Sequence, residues 1–292
     1  MKDCIIIGGG PAGLTAALYL ARFLRNVMVC DAQEGRAAMI PKANNLAPFP
    51  DGISGRDLLD RIRSHAKRYG ATLENQTVRA VEKQGDVFHV TTDRGVETAR
   101  SVIFASGVFN HRPPLSVSDH DQGLSRGLIR YCPICDAYEI RGKRVAVLGN
   151  GAKGFAEASF IRHYSLTVTL IPSDGSLAVA KDGICALASP MSGLELSDSE
   201  VIVTLENGAT YHFDTLYVAL GTTPRSELAA KLGVGVTESG CIITDAKQRT
   251  CIKGVYAIGD VTEGLDQVAS AMGQGAVAAT AIHNALRGTT VG

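Results

Sequence analysis

The stretch Cys4-Ile5-Ile6-Ile7-Gly8-Gly9-Gly10-Pro11-Ala12-Gly13 decides the fold. Four apolar residues stop at a glycine turn and residues 14–23 then carry helical composition, so the order is strand, turn, helix. Each glycine has its own task in that order. Gly8 permits the tight turn, Gly10 lets backbone N–H groups approach a pyrophosphate, and Gly13 allows close helix-to-strand packing, with the phosphate charge on the helix N-terminus. A second strand, 26–30, ends in Asp31, about 20 residues after the glycines, where a carboxylate that binds an adenosine ribose belongs. Cys4 and Cys30 fall inside these strands and read as small buried residues.

A similar pattern starts again later. Residues 144–148 form another apolar strand, followed by Gly149-Asn150-Gly151-Ala152-Lys153-Gly154, a helix over 155–163 and a strand over 166–171. By position this is a second dinucleotide fold, but its second strand runs into Pro172-Ser173-Asp174. That tip has neither a ribose-binding acid in place nor arginines for a 2′-phosphate. Asp174 and Glu157 add negative charge where NADP carries its own. The chain is thus α/β, with two Rossmann-like three-layer domains.

Between the two glycine turns stands Tyr131-Cys132-Pro133-Ile134-Cys135-Asp136. Two cysteines separated by two residues close a small disulfide ring, and an acid follows the second. Thiol–disulfide exchange needs a thiolate, which a CxxC opening a helix gains from unpaired N–H groups and the helix dipole. Asp136 can move the proton that exchange relocates. A half zinc site or a structural disulfide is the alternative. Zinc usually takes a second ligand pair at similar spacing, whereas Cys4, Cys30, Cys185, Cys241 and Cys251 are scattered singly.

The remaining segments read as connections and small sheets. Residues 35–50 are loop-like, 55–69 form an amphipathic helix carrying Leu58, Leu59 and Ile62, and 77–81 with 87–91 are strands of an antiparallel sheet. Residues 101–107 return to a buried strand ending in Gly107, and 111–114 form a crossing between domains. Asn207-Gly208 joins the strands 201–205 and 210–213 as a hairpin, whereas 173–197 shows little periodicity and Cys185 within it reads as a buried or incidental thiol. Another buried strand covers 216–221. Gly259-Asp260 ends a last strand, and a helix over 267–286 is dotted with Ala and Gly, which permits close approach to a flat ligand or a sheet.

With 292 residues the chain has room for two domains. Its 29 basic and 29 acidic residues cancel, and without a Lys/Arg cluster it has no footprint for nucleic acid or anionic lipid. No apolar run approaches the roughly 20 residues that span a bilayer, and residues 1–8 lack a signal-peptide core. A cytoplasmic location is expected, where a CxxC is catalytic more often than structural.

Taken together, these motifs resemble the low-molecular-weight thioredoxin reductases over nearly the whole chain. The resemblance rests on an N-terminal FAD fingerprint (Gly8, Gly10, Pro11, Ala12, Gly13), a central CxxC-Asp, a second glycine turn and the C-terminal Gly259-Asp260. It implies a discontinuous FAD-binding domain, 1–112 and 242–292, with an NAD(P)-binding-like insert, 113–241, carrying the cysteines. Gly8, Gly10, Gly13 and Asp31 would hold the FAD pyrophosphate and ribose, Asn45 would lie near the flavin, and Asp260 would contact the ribityl-phosphate region. Gln267, followed by Val268, matches the glutamine of an Arg-Gln-Ala segment touching the isoalloxazine, with Asp266 replacing its arginine. Gly107 completes the cofactor set.

By the same resemblance Cys135 is the electron-accepting thiol, Cys132 the interchange thiol and Asp136 the acid. Thioredoxin or a small dithiol or disulfide is the implied partner, and a homodimer the implied assembly. Where the family carries His-Arg-Arg for the NADPH 2′-phosphate this chain has Pro172-Ser173-Asp174, and loss of two charge-assisted donors predicts weak or absent NADPH binding. Lys153 compensates in part, and NADH stays open as donor. The variants are a ferredoxin-linked reductase and an oxygen-dependent dithiol oxidase. A flavin redox sensor without turnover is the rival of another class, against which Asp136 counts.

Overall fold

The computed structural model describes residues 1–173, 182–187 and 189–288. In chain order the first elements are β1 (Cys4–Ile7), α1 (Pro11–Arg22), β2 (Val27–Asp31), α2 (Gly55–Arg68), β3 (Thr72–Asn75), β4 (Val78–Gln84), β5 (Val87–Thr92), β6 (Gly95–Ala99), β7 (Val102–Phe104) and β8 (Val108–Asn110). There follow α3 (Val117–Ser125), β9 (Ile129–Arg130), α4 (Pro133–Asp136), β10 (Arg144–Leu148), α5 (Gly151–Arg162), β11 (Thr167–Ile171), β12 (Cys185–Ala186), β13 (Met191–Leu196), β14 (Val201–Leu205), β15 (Thr210–Phe213) and β16 (Thr215–Val218). The chain closes with β17 (Thr222–Pro224), α6 (Glu227–Lys231), β18 (Val255–Ala257) and α7 (Val268–Arg287).

Two compact units result, one of 1–40, 54–109 and 223–292, the other of 41–53 and 110–222. The first is built on a parallel sheet ordered β18-β7-β1-β2-β3. Buried on both faces, β1, β2, β7 and β18 read as continuous apolar runs rather than alternations, whereas the edge strand β3 is polar and partly exposed. Cys4, Ile6, Val27 and Val29 turn to a layer holding residues of α1 and α7. Ile5, Ile7, Met28 and Cys30 turn to the other face, where Phe88 and Val90 of the antiparallel sheet β4-β5-β6 pack. Period-2 alternation of the strands therefore sorts each residue into one of two cores. The second unit repeats the plan with a parallel sheet ordered β12-β11-β10-β16-β9 and an antiparallel sheet β13-β14-β15. The two-domain Rossmann-like α/β architecture is as read from sequence.

The limits of the units differ from those expected. The segment after β17 clusters with the first unit because Ala229, Val234 and Ile242 pack on its β4–β6 side core. Residues 41–53 belong to the second unit, closed on themselves by the bridge between Ala43 and Ile53. Two further elements carry weak sequence signals. β13 emerges inside the stretch that lacked periodicity, and α3 starts at Ser116, whose hydroxyl accepts the Asp119 N–H at 3.1 Å. Cys4 and Cys30 are buried and Cys185 is exposed rather than buried. Burial pushes the Cys4 thiol up to about 12 and raises that of Cys30, which disfavours the thiolate in both.

Candidate active site

In the first unit the glycine turn stands at the end of the central strand. Gly8 has φ +114°, and a Cβ there would collide with the Ala105 carbonyl oxygen. A Cβ on Gly13 would collide with the Gly8 carbonyl oxygen, so both positions demand glycine for close approach. Gly10 differs, for a Cβ there meets nothing within 4 Å. It caps α1 with no side-chain hydrogen bond, and Pro11 follows at the helix start. Open room in front of uncapped N–H groups is what a pyrophosphate requires.

Asp31 and Gly259 adjoin this turn, and the same unit holds Asp260, Gln267, Val268 and Gly107. Asp31 ends β2 beside it, accepting the Gln33 N–H at 3.0 Å and Arg63 Nη2 at 3.1 Å. Gly259, at φ +75°, lies against Ala12, and its N–H donates to Gln274 Oε1 at 2.6 Å. Asp260 is ion-paired to Arg36 at 2.8 Å, and Asp266 accepts from the same guanidinium at 3.3 Å. Gln267 caps α7 ahead of Val268. Gly107 takes φ +68° with open space at its Cβ direction. The small residues of α7 serve helix packing: a Cβ on Gly275 would meet the Ala12 carbonyl oxygen at 2.5 Å.

The second unit holds the cysteines. Cys132 and Cys135 form a disulfide with Cα atoms 5.3 Å apart. Cys132 caps α4, and Pro133 occupies the first helical position, where its missing N–H costs nothing. α4 is a single turn of four residues continued by a 3-10 turn over Ala137–Ile140. Its dipole is that of one turn, so it supports a thiolate less than a full helix would. Ile134, between the cysteines, and Tyr138 are 53% and 63% exposed. Asn45 reaches this loop, with Nδ2 donating to the Ile134 carbonyl at 3.4 Å. Neighbouring Asn44 donates to Glu139 Oε1 at 2.9 Å.

Asp136 is tied down on both oxygens. Arg130 Nη1 donates to Oδ2 at 2.6 Å and Tyr217 Oη donates to Oδ1 at 2.7 Å. Burial pushes the Asp136 pKa above the usual carboxylate range, with Arg130 and Tyr217 pulling it back and Glu139 adding to the rise. Burial and the adjoining carboxylate hold Tyr217 protonated. Ahead of the cysteines in sequence, Tyr131 Oη and Nε2 of the buried His120 are 2.8 Å apart. Burial raises Tyr131 to about 12, so it too keeps its proton.

The second glycine turn is dressed differently from the first. Asn150 Oδ1 accepts the Ser173 N–H at 2.7 Å, closing the tip of β11. Lys153 lies exposed at the start of α5, with Nζ 3.3 Å from the position a Gly221 Cβ would take. Glu157 Oε1 is buried without a partner, and burial raises its carboxyl to about 7 despite Lys153. The negative charge expected of it is therefore only partial near neutral pH. Asp174 lies outside the described residues.

A family model described as pyridine nucleotide-disulphide oxidoreductase matches residues 2–275. The chain belongs to that family. Within it, the thioredoxin reductase of Streptomyces clavuligerus is 32% identical over 287 residues, covering 90% of this chain and 87% of its own. That of Streptomyces coelicolor is 33% identical over 284 residues, with coverages of 90% and 87%. The crystal structure of thioredoxin reductase from Streptococcus pyogenes superposes with a TM-score of 0.89 at 28% identity, covering 99% of both chains. This family member is a flavoprotein disulfide oxidoreductase of the thioredoxin reductase type. The family's flavin is FAD, and the open, uncapped turn at Gly10 fits its pyrophosphate.

Four residues of this oxidoreductase escaped sequence reading: Arg36, Arg63, Arg130 and Tyr217. Each touches an acid that had been identified, from a segment distant in sequence or from an ordinary strand position. Among the described residues no helix is long and apolar enough to cross a membrane.

Proposed function

We propose that this protein passes electrons between bound FAD and the Cys132/Cys135 pair, and from that pair to a protein disulfide such as that of thioredoxin. The observation that carries the reading is the Cys132–Cys135 disulfide followed by an acid fixed on both oxygens. A structural disulfide needs no positioned proton carrier.

When bound, FAD supplies the two-electron store that the cysteines exchange with. Gly8, Gly10, Pro11, Ala12 and Gly13 would seat its pyrophosphate, Asp31 its ribose and Asp260 its ribityl-phosphate region. Asn45, Gly107, Gln267 and Val268 would complete the flavin environment. In the reduced dithiol, the Cys132 thiolate attacks one sulfur of the partner disulfide, that S–S bond breaks, and the leaving sulfur carries off the electron pair and takes a proton. Cys135 then attacks Cys132 Sγ in the mixed disulfide, releasing the second partner thiol and restoring the Cys132–Cys135 bond. Two electrons and two protons leave the enzyme in balance. Asp136 moves the proton, and exposed Ile134 and Tyr138 offer apolar contact to a protein partner.

NADPH serves poorly as donor in this reading, because Pro172 and Ser173 bring no cation to a 2′-phosphate and Asn150 is committed to the Ser173 backbone. An anaerobic titration with NADPH, followed by the visible absorbance of the flavin, tests this. Little bleaching is expected where dithionite bleaches fully. Stoichiometric bleaching by NADPH would show that the divergent turn still works. The cysteine roles are checked separately with Cys132→Ser and Cys135→Ser, which should each abolish reduction of a thioredoxin disulfide by the prereduced protein. Retained exchange in both would refute the assignment.

A further inference from the structure

Arg130 and Tyr217 are register partners on the adjacent parallel strands β9 and β16, so their side chains leave the sheet on one face. Asp136, at the end of α4, places one carboxylate oxygen on each. Arg130 is fixed in turn by Thr215, whose hydroxyl accepts from Nε at 3.2 Å, and Thr215 and Tyr217 are completely buried. The two donors differ in kind. A guanidinium only donates and keeps its charge, so Oδ2 is committed as an acceptor. A phenol both donates and accepts, so the contact at Oδ1 survives when that oxygen carries a proton.

We propose that Arg130 and Tyr217 are positioning residues for thiol–disulfide exchange, with Arg130 holding Oδ2 of Asp136 as the charged oxygen and Tyr217 marking Oδ1 as the oxygen that takes up and returns the exchange proton. This rests on the reading of Asp136 as the proton-moving group and adds which oxygen does so and what controls it. In the disulfide form described here both donors point at the Asp136 carboxyl oxygens, one at each. Reduction of Cys132–Cys135 by a dithiol puts a proton on Oδ1, and attack of the Cys132 thiolate on a partner disulfide returns it to the leaving sulfur. The groups facing Asp136 are Arg130 from β9, Tyr217 from β16 and Glu139 from the turn that follows α4. The first two favour the charged form and the third opposes it.

The test is the pH profile of the rate at which dithiothreitol reduces Cys132–Cys135 in flavin-loaded protein, read by alkylation of the released thiols, with Asp136→Asn as reference. The inflection that Asp136→Asn removes should move upward by about one to three pH units in Arg130→Met, because burial is then uncompensated by the neighbouring charge. Tyr217→Phe should move it in the same direction by less, and Arg130→Lys should return most of the wild-type profile. A structural role alone would change rates without moving the inflection. The inference is overturned if Asp136→Asn removes an inflection that neither Arg130→Met nor Tyr217→Phe moves. An unchanged profile in Asp136→Asn would reject the proton role of Asp136 and this inference with it. Should Arg130→Met fail to fold, judged by circular dichroism, Tyr217→Phe alone decides.

Discussion

Gly8 and Gly149 each follow the central strand of a five-stranded parallel sheet, one in each unit, and each N–H donates to the end of the next strand, at Cys30 and at Ile171. The third glycine keeps its packing duty in both turns, since a Cβ on Gly13 or Gly154 would press into the backbone of the first glycine. The difference lies in the side chains at the tip of the following strand. The first turn has Asp31, a carboxylate on a rigid strand end with Arg63 beside it. The second has Pro172 and an asparagine already bonded to Ser173 N–H. The two turns thus share their backbone geometry, and on the proposed reading nucleotide identity rests on the few side chains in which they differ.

The largest expected effect breaks the first turn at its open position. Gly10→Val adds a side chain where the protein offers no clash, so the fold should survive while the added bulk occupies the pyrophosphate room. The variant should purify colourless with a wild-type circular dichroism spectrum, and full flavin retention would count against the site. Gly8→Val is a contrasting control, because it strains a φ of +114° and strikes the Ala105 carbonyl. That variant should lose folding yield as well as flavin.

Next in size is a change that makes the second turn more like an NADPH site. Ser173→Arg supplies one charge-assisted donor at the strand tip, worth about 1.5–3 kcal/mol. NADPH affinity, measured by anaerobic flavin bleaching or calorimetry, should rise about tenfold or more. No gain would mean that the phosphate does not reach this tip.

Glu157 gives a pH-dependent effect. Its carboxyl rises from 4.5 to about 7 on folding, so the folded state binds the proton more tightly than the unfolded one. Its stability contribution is full below about pH 4.5 and is lost as pH rises through 7. Glu157→Gln should therefore stabilise the protein at pH 8 by about 1–3 kcal/mol, partial exposure reducing the full linkage value, and change little at pH 5. Urea unfolding at the two pH values checks this. An equal effect at both would place the cause elsewhere. The smallest effect is expected of Asn150→Ala, which removes the acceptor of the Ser173 N–H and should cost about 1 kcal/mol in the same assay.

Features encoded by local spacing were legible in the sequence. The turns at Gly8 and Gly149, Asp31 at the end of β2 and the CxxC-Asp follow from order and distance along the chain, as does the Asn207-Gly208 hairpin. Partners supplied by other segments were not. Arg36 sits in a stretch with no periodicity, and only folding brings it to Asp260 and Asp266. Arg130 and Tyr217 are an arginine and a tyrosine on short strands until parallel registry aims both at Asp136. The limit at Thr222 was equally hidden, because residues 223–241 join the first unit through Ala229 and Val234, two unremarkable apolar residues.

The central claim, that the Cys132/Cys135 pair exchanges electrons with the flavin, is tested most directly by anaerobic dithiothreitol titration of the flavin-loaded wild type and Cys135→Ser. The wild-type flavin should bleach fully and the variant should stay oxidised over the same interval. Equal bleaching in both would contradict the claim, because the electrons would then reach the flavin without the cysteines.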